Sequence, residues 1–163
     1  MKVDTYFNIL ISYFYANDGI MNQLAELVRS GEANVMIDSG AFSAHTLGKE
    51  VNIDRYCNFL EKYSWMAEKY VTLDHVGDEA KTKENYLLMI ERGFNPMYVV
   101  TTADNDHDFW REVVKNNRDI CVSGGTIIRN KWMDKRFQDV YLETSELAKI
   151  HGLGYVNRSS MFN

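Results

Sequence analysis

What this chain has little of narrows it first. It holds two cysteines, Cys57 and Cys121, far apart and without any Cys-x-x-Cys or Cys/His spacing. A disulfide framework or a structural zinc site needs paired or clustered ligands, so neither is indicated, and no metal or other cofactor is expected. A reducing cytoplasm is the simplest setting for two isolated thiols. No apolar run is long enough to span a bilayer. Met1 to Ile20 is interrupted by Asn8, Tyr13 and Asn17 and has neither a basic lead nor a small-residue cleavage site, so it does not read as a signal peptide. Positive charge is short: 18 Lys and Arg stand against 23 Asp and Glu, a formal net charge of -5. That argues against a broad cationic surface gripping phosphates, although a local basic patch stays open. Missing too are a GxGxxG or Walker spacing, an HExxH, and a Ser/His/Asp elbow, which removes support for dinucleotide binding, zinc chemistry and acyl transfer. With one proline and no linker, low-complexity tract or charge block, residues 1–163 read as a single domain.

What is present is an ordinary globular composition, 45% hydrophobic and 13% aromatic, in a regular alternation of patterns. Tyr6 to Tyr15 is β-branched and aromatic, and Asn17-Asp18-Gly19 separates it from apolar residues at helical spacing, Met21, Leu24, Leu27 and Val28. Gly31 ends that helix and Val35 to Ile37 follows as a strand. Asn52-Ile53-Asp54 opens a helix with Tyr56, Phe59, Leu60 and Tyr63 on one face. Tyr70 to Leu73 is a third strand and Thr82 to Glu91 a helix, with Tyr86, Met89 and Ile90 apolar. Gly93 and Pro96 follow in the order expected after a helix C-terminus. Met97 to Val100, a helix over Asp106 to Lys115, a strand over Asp119 to Val122, a helix from about Lys131 to Ile150 and a sixth strand near His151 to Val156 complete the series. Five strand-then-helix units and a sixth strand predict an α/β fold with a parallel sheet and right-handed crossovers. A closed eight-stranded barrel typically takes about 250 residues, so this chain is expected to leave an open edge.

Such sheets bind ligands at the carboxyl ends of their strands. Val35 to Phe42 is the most informative stretch: an apolar run stops at Asp38 and continues Ser39-Gly40-Ala41-Phe42. The third strand likewise ends in Asp74, followed by His75. The fifth runs into Ser123-Gly124-Gly125, whose glycines permit close backbone approach. Two carboxylates at neighbouring strand ends would converge on one pocket, as acceptors or proton carriers for a ligand. Either could instead cap the following helix or pair with a lysine. His75 is the histidine placed in the presumed pocket, a candidate proton carrier near neutral pH. His45, His107 and His151 are expected at surface or packing positions, and Trp65, Trp110 and Trp132 in helices as packing residues.

The segments Ile37-Asp38-Ser39-Gly40-Ala41-Phe42, Leu73-Asp74 and Ser123-Gly124-Gly125, in this order, resemble the tRNA-guanine transglycosylase superfamily. The likeness is greatest to the short phage and plasmid members associated with 7-deazaguanine bases in DNA, which would set the chain in a host cytoplasm. It extends to His151-Gly152-Leu153-Gly154. The resemblance implies a partial (β/α)8 TIM-type barrel and a nucleobase-exchange function on DNA or tRNA, a pentosyltransferase where active. It implies that Asp38 contacts the bound base and assists proton handling, that Phe42 stacks on it, that Asp74 recognises the guanine-like Watson-Crick edge, and that the Gly124-Gly125 backbone binds its carbonyl. An ionised carboxylate is acceptor only, which suits the N1-H and 2-amino donors of such a base. The family's nucleophilic aspartate lies on a later strand than this chain reaches, so a homo-oligomer mate or second chain is expected to complete the site. The tRNA enzymes' Cys-rich zinc motif is also missing. A non-catalytic purine or nucleotide-binding module, and an N-glycosidase or nucleotide hydrolase using Asp38 or Asp74, are the alternatives.

Overall fold

The computed structural model describes residues 6–100, 107–117, 119–123 and 149–153. In chain order they form β1 (Phe7–Ser12), α1 (Asp18–Arg29), β2 (Ala33–Asp38), α2 (Ala41–Thr46), α3 (Ile53–Tyr63), β3 (Ala67–Tyr70), α4 (Glu79–Glu91), β4 (Tyr98–Val100), α5 (His107–Asn117), β5 (Asp119–Ser123) and β6 (Lys149–Leu153). The fold is α/β. Every strand pairing is parallel, in two three-stranded sheets of order β1-β2-β3 and β4-β5-β6. A single bridge, Val71 to Met97, joins them, carried by Thr72 N–H donating to the Met97 carbonyl at 2.9 Å and Met97 N–H to the Tyr70 carbonyl at 2.8 Å. Lys69 of β3 and Asp119 of β5 form an ion pair between the two sheets. No barrel is closed among the described residues.

Alternation along each strand assigns its two faces. Val35 and Ile37 of β2 pack with Met21, Leu24, Tyr56, Leu60 and Tyr63 of α1 and α3. Tyr98 and Val100 of β4, with Ile120 and Val122 of β5, pack with Trp110, Val113 and Val114 of α5. The other face carries its own cluster, Val71, Met97, Val99 and Cys121, with Met36 and Leu153 against it. Residues 36, 99, 121 and 153 alternate with those turned toward the helices. This second face therefore has an apolar floor drawn from β2 through β6.

The helices begin where the sequence chemistry places them. Asn17, Asn52 and Asp78 accept from Ile20, Arg55 and Lys81 backbone N–H groups, each three residues on. Four expectations shift. The run Tyr6 to Tyr15 is a strand only to Ser12, and Tyr13–Tyr15 is a 3-10 turn that lets Tyr13 stack against Tyr56 and Phe59. The third strand pairs with β2 three residues earlier than expected, over Ala67–Tyr70, with Glu68 left out of the register between Ala67 and Lys69, while Val71 of the expected strand bridges Met97. Lys149 and Ile150, expected at the end of a helix, instead begin β6 and pair with Asp119 and Ile120. Residues 131–148 and Trp132 lie outside the described residues. Ile90, expected on the apolar face of α4, is exposed, whereas Tyr86 and Met89 are buried.

Candidate functional site

The carboxyl end of β2 is shaped by Gly40. Its φ of 73° is left-handed, and a Cβ there would sit 2.9 Å from the Phe14 backbone nitrogen and against the Ser12 hydroxyl. Glycine alone fits, since the backbone both turns against the usual hand and passes hard by β1. The turn lets the Gly40 N–H donate 2.9 Å to Asp38 Oδ2. It also directs Ser39, fully buried, so that its hydroxyl donates 2.9 Å to Asp74 Oδ1 while accepting from the Ala41 N–H at 3.3 Å. Asp38 and Asp74 are thus held at adjacent strand ends with one serine between them.

Capping accounts for only part of this. α4 is capped by Asp78, four residues beyond Asp74, so Asp74 is not the residue that starts that helix. Asp38 does serve its own turn through Gly40 N–H, yet its second oxygen is not used by that bond. Ser12, paired with Asp38 in the β1-β2 register, keeps its hydroxyl buried with no partner in hydrogen-bonding geometry among the described residues. It still helps hold the Asp38 pKa down across the gap.

Both carboxyls are reluctant to ionise. Burial pushes the Asp38 pKa up, opposed by the Gly40 N–H, the Ser12 hydroxyl and the Ser39 N–H. Asp74 is pushed up to about 6, first by burial and then by the neighbouring Asp38 charge, against the Ser39 hydroxyl bond. Their joint field reaches below. The Tyr56 phenol, which donates 2.8 Å to the Val71 carbonyl, is raised by burial and then by Asp38 and Asp74. Cys121 on β5 is raised by the same three causes, and both thiols are buried and free.

The remaining expected residues separate. His75 follows Asp74 into a neighbouring cavity of about 300 Å³, lined also by His45, Lys49, Glu50, Lys81 and Asn85. Asp74 borders it, but Asp38 and Phe42 do not. There the His75 Nε2 stands 3.7 Å from Glu50, and its Nδ1 is buried without a partner among the described residues. His45, expected at a surface or packing position, joins His75 in the lining. Phe42 is 40% exposed on α2. Ser123 ends β5, half-buried and opposite Leu153. Gly124, Gly125 and His107's side chain lie outside the described residues. Among the described residues no cluster of three or more His, Cys, Asp or Glu side chains is arranged to hold a metal ion, and no helix is long and apolar enough to cross a membrane.

Sequence reasoning misses His151. Expected at a surface or packing position, it sits half-buried on β6, paired with Cys121 and two residues from Leu153, and therefore on the second face. Burial lowers its pKa and the Asp38 charge raises it. Met36 of β2 and Leu153 of β6 both pack against the apolar cluster formed by the strands between them. The signal available in sequence is alternation: His151 and Leu153 lie in phase with Cys121, the residue out of step with Ile120 and Val122.

No protein-family model matches this chain, and neither the curated proteins nor the solved structures yield a match.

Proposed function

We propose that this chain is a transglycosylase-like partial (β/α)8 barrel whose strand ends bind a guanine-like base, and that it acts in nucleobase exchange on DNA or tRNA once a dimer mate or second chain completes it. The observation that carries the reading is the Asp38–Ser39–Asp74 arrangement. Two partly buried carboxyls offer acceptor oxygens at adjacent strand ends, and among the described residues the lysine and arginine ion pairs all go to other acids. A planar ligand with adjacent N–H donors relieves that demand, as the Watson-Crick edge of guanine does. Sequential parallel strands with helices packed on one face support the barrel reading. β1 supports the partner. Among the described residues it pairs only with β2, and Leu10, on the face shared with Met36, is 50% exposed in mid-strand. A strand with that much apolar surface and an unpaired edge gains from coverage.

Calorimetry with guanine, 7-deazaguanines and guanine nucleotides tests the pocket. Binding that Asp74→Asn abolishes supports it, and no binding by any of them refutes it. Incubation with labelled guanine and DNA or tRNA tests exchange. A monomer by light scattering that exchanges label unaided would remove the need for a partner. Binding without exchange under any condition, including with the chain encoded beside it, would leave a purine-binding module. Release of free base by the protein alone would instead mark a glycosidase in which Asp38 or Asp74 acts on its own.

A further inference from the structure

The cavity beside Asp74 holds donors that the two strand-end carboxyls do not use. Its wall is fixed by local bonds. Buried Thr82 accepts the His75 backbone N–H at 2.9 Å and donates 2.9 Å to the Asp78 carbonyl, which ties the segment after β3 to the first turn of α4. Asn85 donates 2.9 Å from its side-chain amide to the Leu73 carbonyl. The Lys49 N–H donates 2.8 Å to the Ala44 carbonyl and holds the chain after α2 against that helix. The space these segments enclose, about 300 Å³, is at the lower end of small-molecule sites.

Three groups in its lining lack a counterpart. His75 Nδ1 is buried and unpartnered among the described residues, where neither Lys49 nor Lys81 forms an ion pair. An imidazolium donates from both ring nitrogens, and the neutral Nδ1–H tautomer donates from this one. Lys49 Nζ stands 5.9 Å from the Phe14 ring centre, at the limit of a cation–π contact. Glu50 also lines the cavity, but its side chain is 80% exposed and stands 3.7 Å from His75 Nε2, so its charge is set against the imidazole and largely in water. Depth sorts the lining: Asp74 and His75 are half-buried, whereas Lys49 and Lys81 are exposed. An acceptor lies inward and two cations stand at the rim. The complementary ligand carries donors at one end and negative charge at the other, which a free base lacks and a purine nucleotide has. Resting on the base-binding reading above, we propose that this cavity takes the phosphate of a guanine nucleotide, with Lys49 and Lys81 pairing with its oxygens, His75 Nδ1 donating to one of them, and the base directed inward to Asp74.

The test has two arms. Histidine side-chain NMR of the unliganded protein at fixed pH, titrated with inorganic phosphate against chloride of equal ionic strength, reads the anion site without any base. The His75 resonance should move saturably with phosphate alone, and Lys49→Ala/Lys81→Ala, an exposed pair whose loss leaves the unfolding midpoint in place, should weaken that response roughly tenfold or more, the worth of a charged hydrogen bond. A His75 signal indifferent to phosphate overturns the anion site. Calorimetry reads its link to the base: guanosine 5′-monophosphate should bind roughly tenfold or more tighter than guanosine, and the double variant should bring the nucleotide down to the nucleoside's affinity. Equal affinities in the wild type overturn the link. A short single strand of DNA holding one guanine separates the sources of the phosphate, since a free nucleotide is the ligand if only the monophosphate binds and a polynucleotide diester if the strand binds tighter; either supports a phosphate-bearing nucleoside. A protein that binds phosphate but no purine refutes the base reading and the nucleotide with it, and leaves the anion site standing alone.

Discussion

Replacing Asp74 by asparagine should make the protein more stable and destroy its ligand binding, the first of these in a pH-dependent way. The folded carboxyl titrates at about 6 against 3.8 in the unfolded chain. Between those values the native state holds a proton that the unfolded chain has released, so stability falls as pH rises through this window. A rise of that size is worth at most about 3 kcal/mol at roughly 1.4 kcal/mol per pH unit. Partial exposure of the side chain reduces the expectation to about 1–2 kcal/mol. The asparagine cannot ionise but keeps a carbonyl for the Ser39 hydroxyl, so the variant should match wild type near pH 4 and exceed it by about 1–2 kcal/mol at pH 8. Urea unfolding at the two pH values measures this. Base binding should run the other way, rising in the wild type as Asp74 ionises and absent in the variant at both pH values. An Asp74→Asn protein whose stability difference from wild type is the same at pH 4 and pH 8 would refute the claim that a buried, ionising carboxyl sits there.

The other predictions address the parts that position the site. Gly40→Ala forces a left-handed φ on alanine and drives its Cβ into Phe14 and Ser12, and should cost about 2–4 kcal/mol in thermal unfolding. Gly48→Ala, with φ of 63° and nothing within 4 Å, should cost only about 1 kcal/mol; equal losses would show that the close approach to β1 is not what requires glycine. Tyr56→Phe strands the Val71 carbonyl that accepts its hydroxyl at 2.8 Å, for a loss of about 1–2 kcal/mol in urea. Phe42→Ala, at a 40% exposed position, should change unfolding by no more than about 0.5 kcal/mol, yet weaken guanine binding if the ring stacks on the base. Unchanged affinity would remove Phe42 from the site.

Much of the fold is legible because most strands and helices announce themselves locally. Asn52 and the Tyr56, Leu60, Tyr63 face mark out α3 almost residue for residue, and the strand that delivers Asp38 ends where its apolar run ends. What is illegible depends on partners distant in sequence. The start of β3 at Ala67, with Glu68 skipped in its register to β2, is set by pairing with a distant strand and not by the apolar pattern of residues 70–73. α2 escapes notice because its six residues, Ala41–Thr46, carry no side-chain cap and no apolar repeat; the turn at Gly40 starts it instead. The pairing of Asp38 with Asp74 can be guessed from two strand ends. The serine bridging toward Asp74 follows only from the left-handed turn at Gly40.

On the proposed reading, the carboxyl ends of β2 and β3 are a place where folding and base binding pull in opposite directions. Burial raises both acids, and the serine hydroxyl and the glycine N–H offset only part of that. A chain selected for stability alone would carry asparagine or leucine here, because an uncompensated buried carboxyl lowers stability at neutral pH. The structure instead commits a left-handed glycine and a fully buried serine to keeping two acids adjacent and oriented. Donors brought by a ligand would favour the ionised state that burial resists. On the proposed base-binding reading, affinity for a donor-bearing base should therefore rise as pH passes about 6.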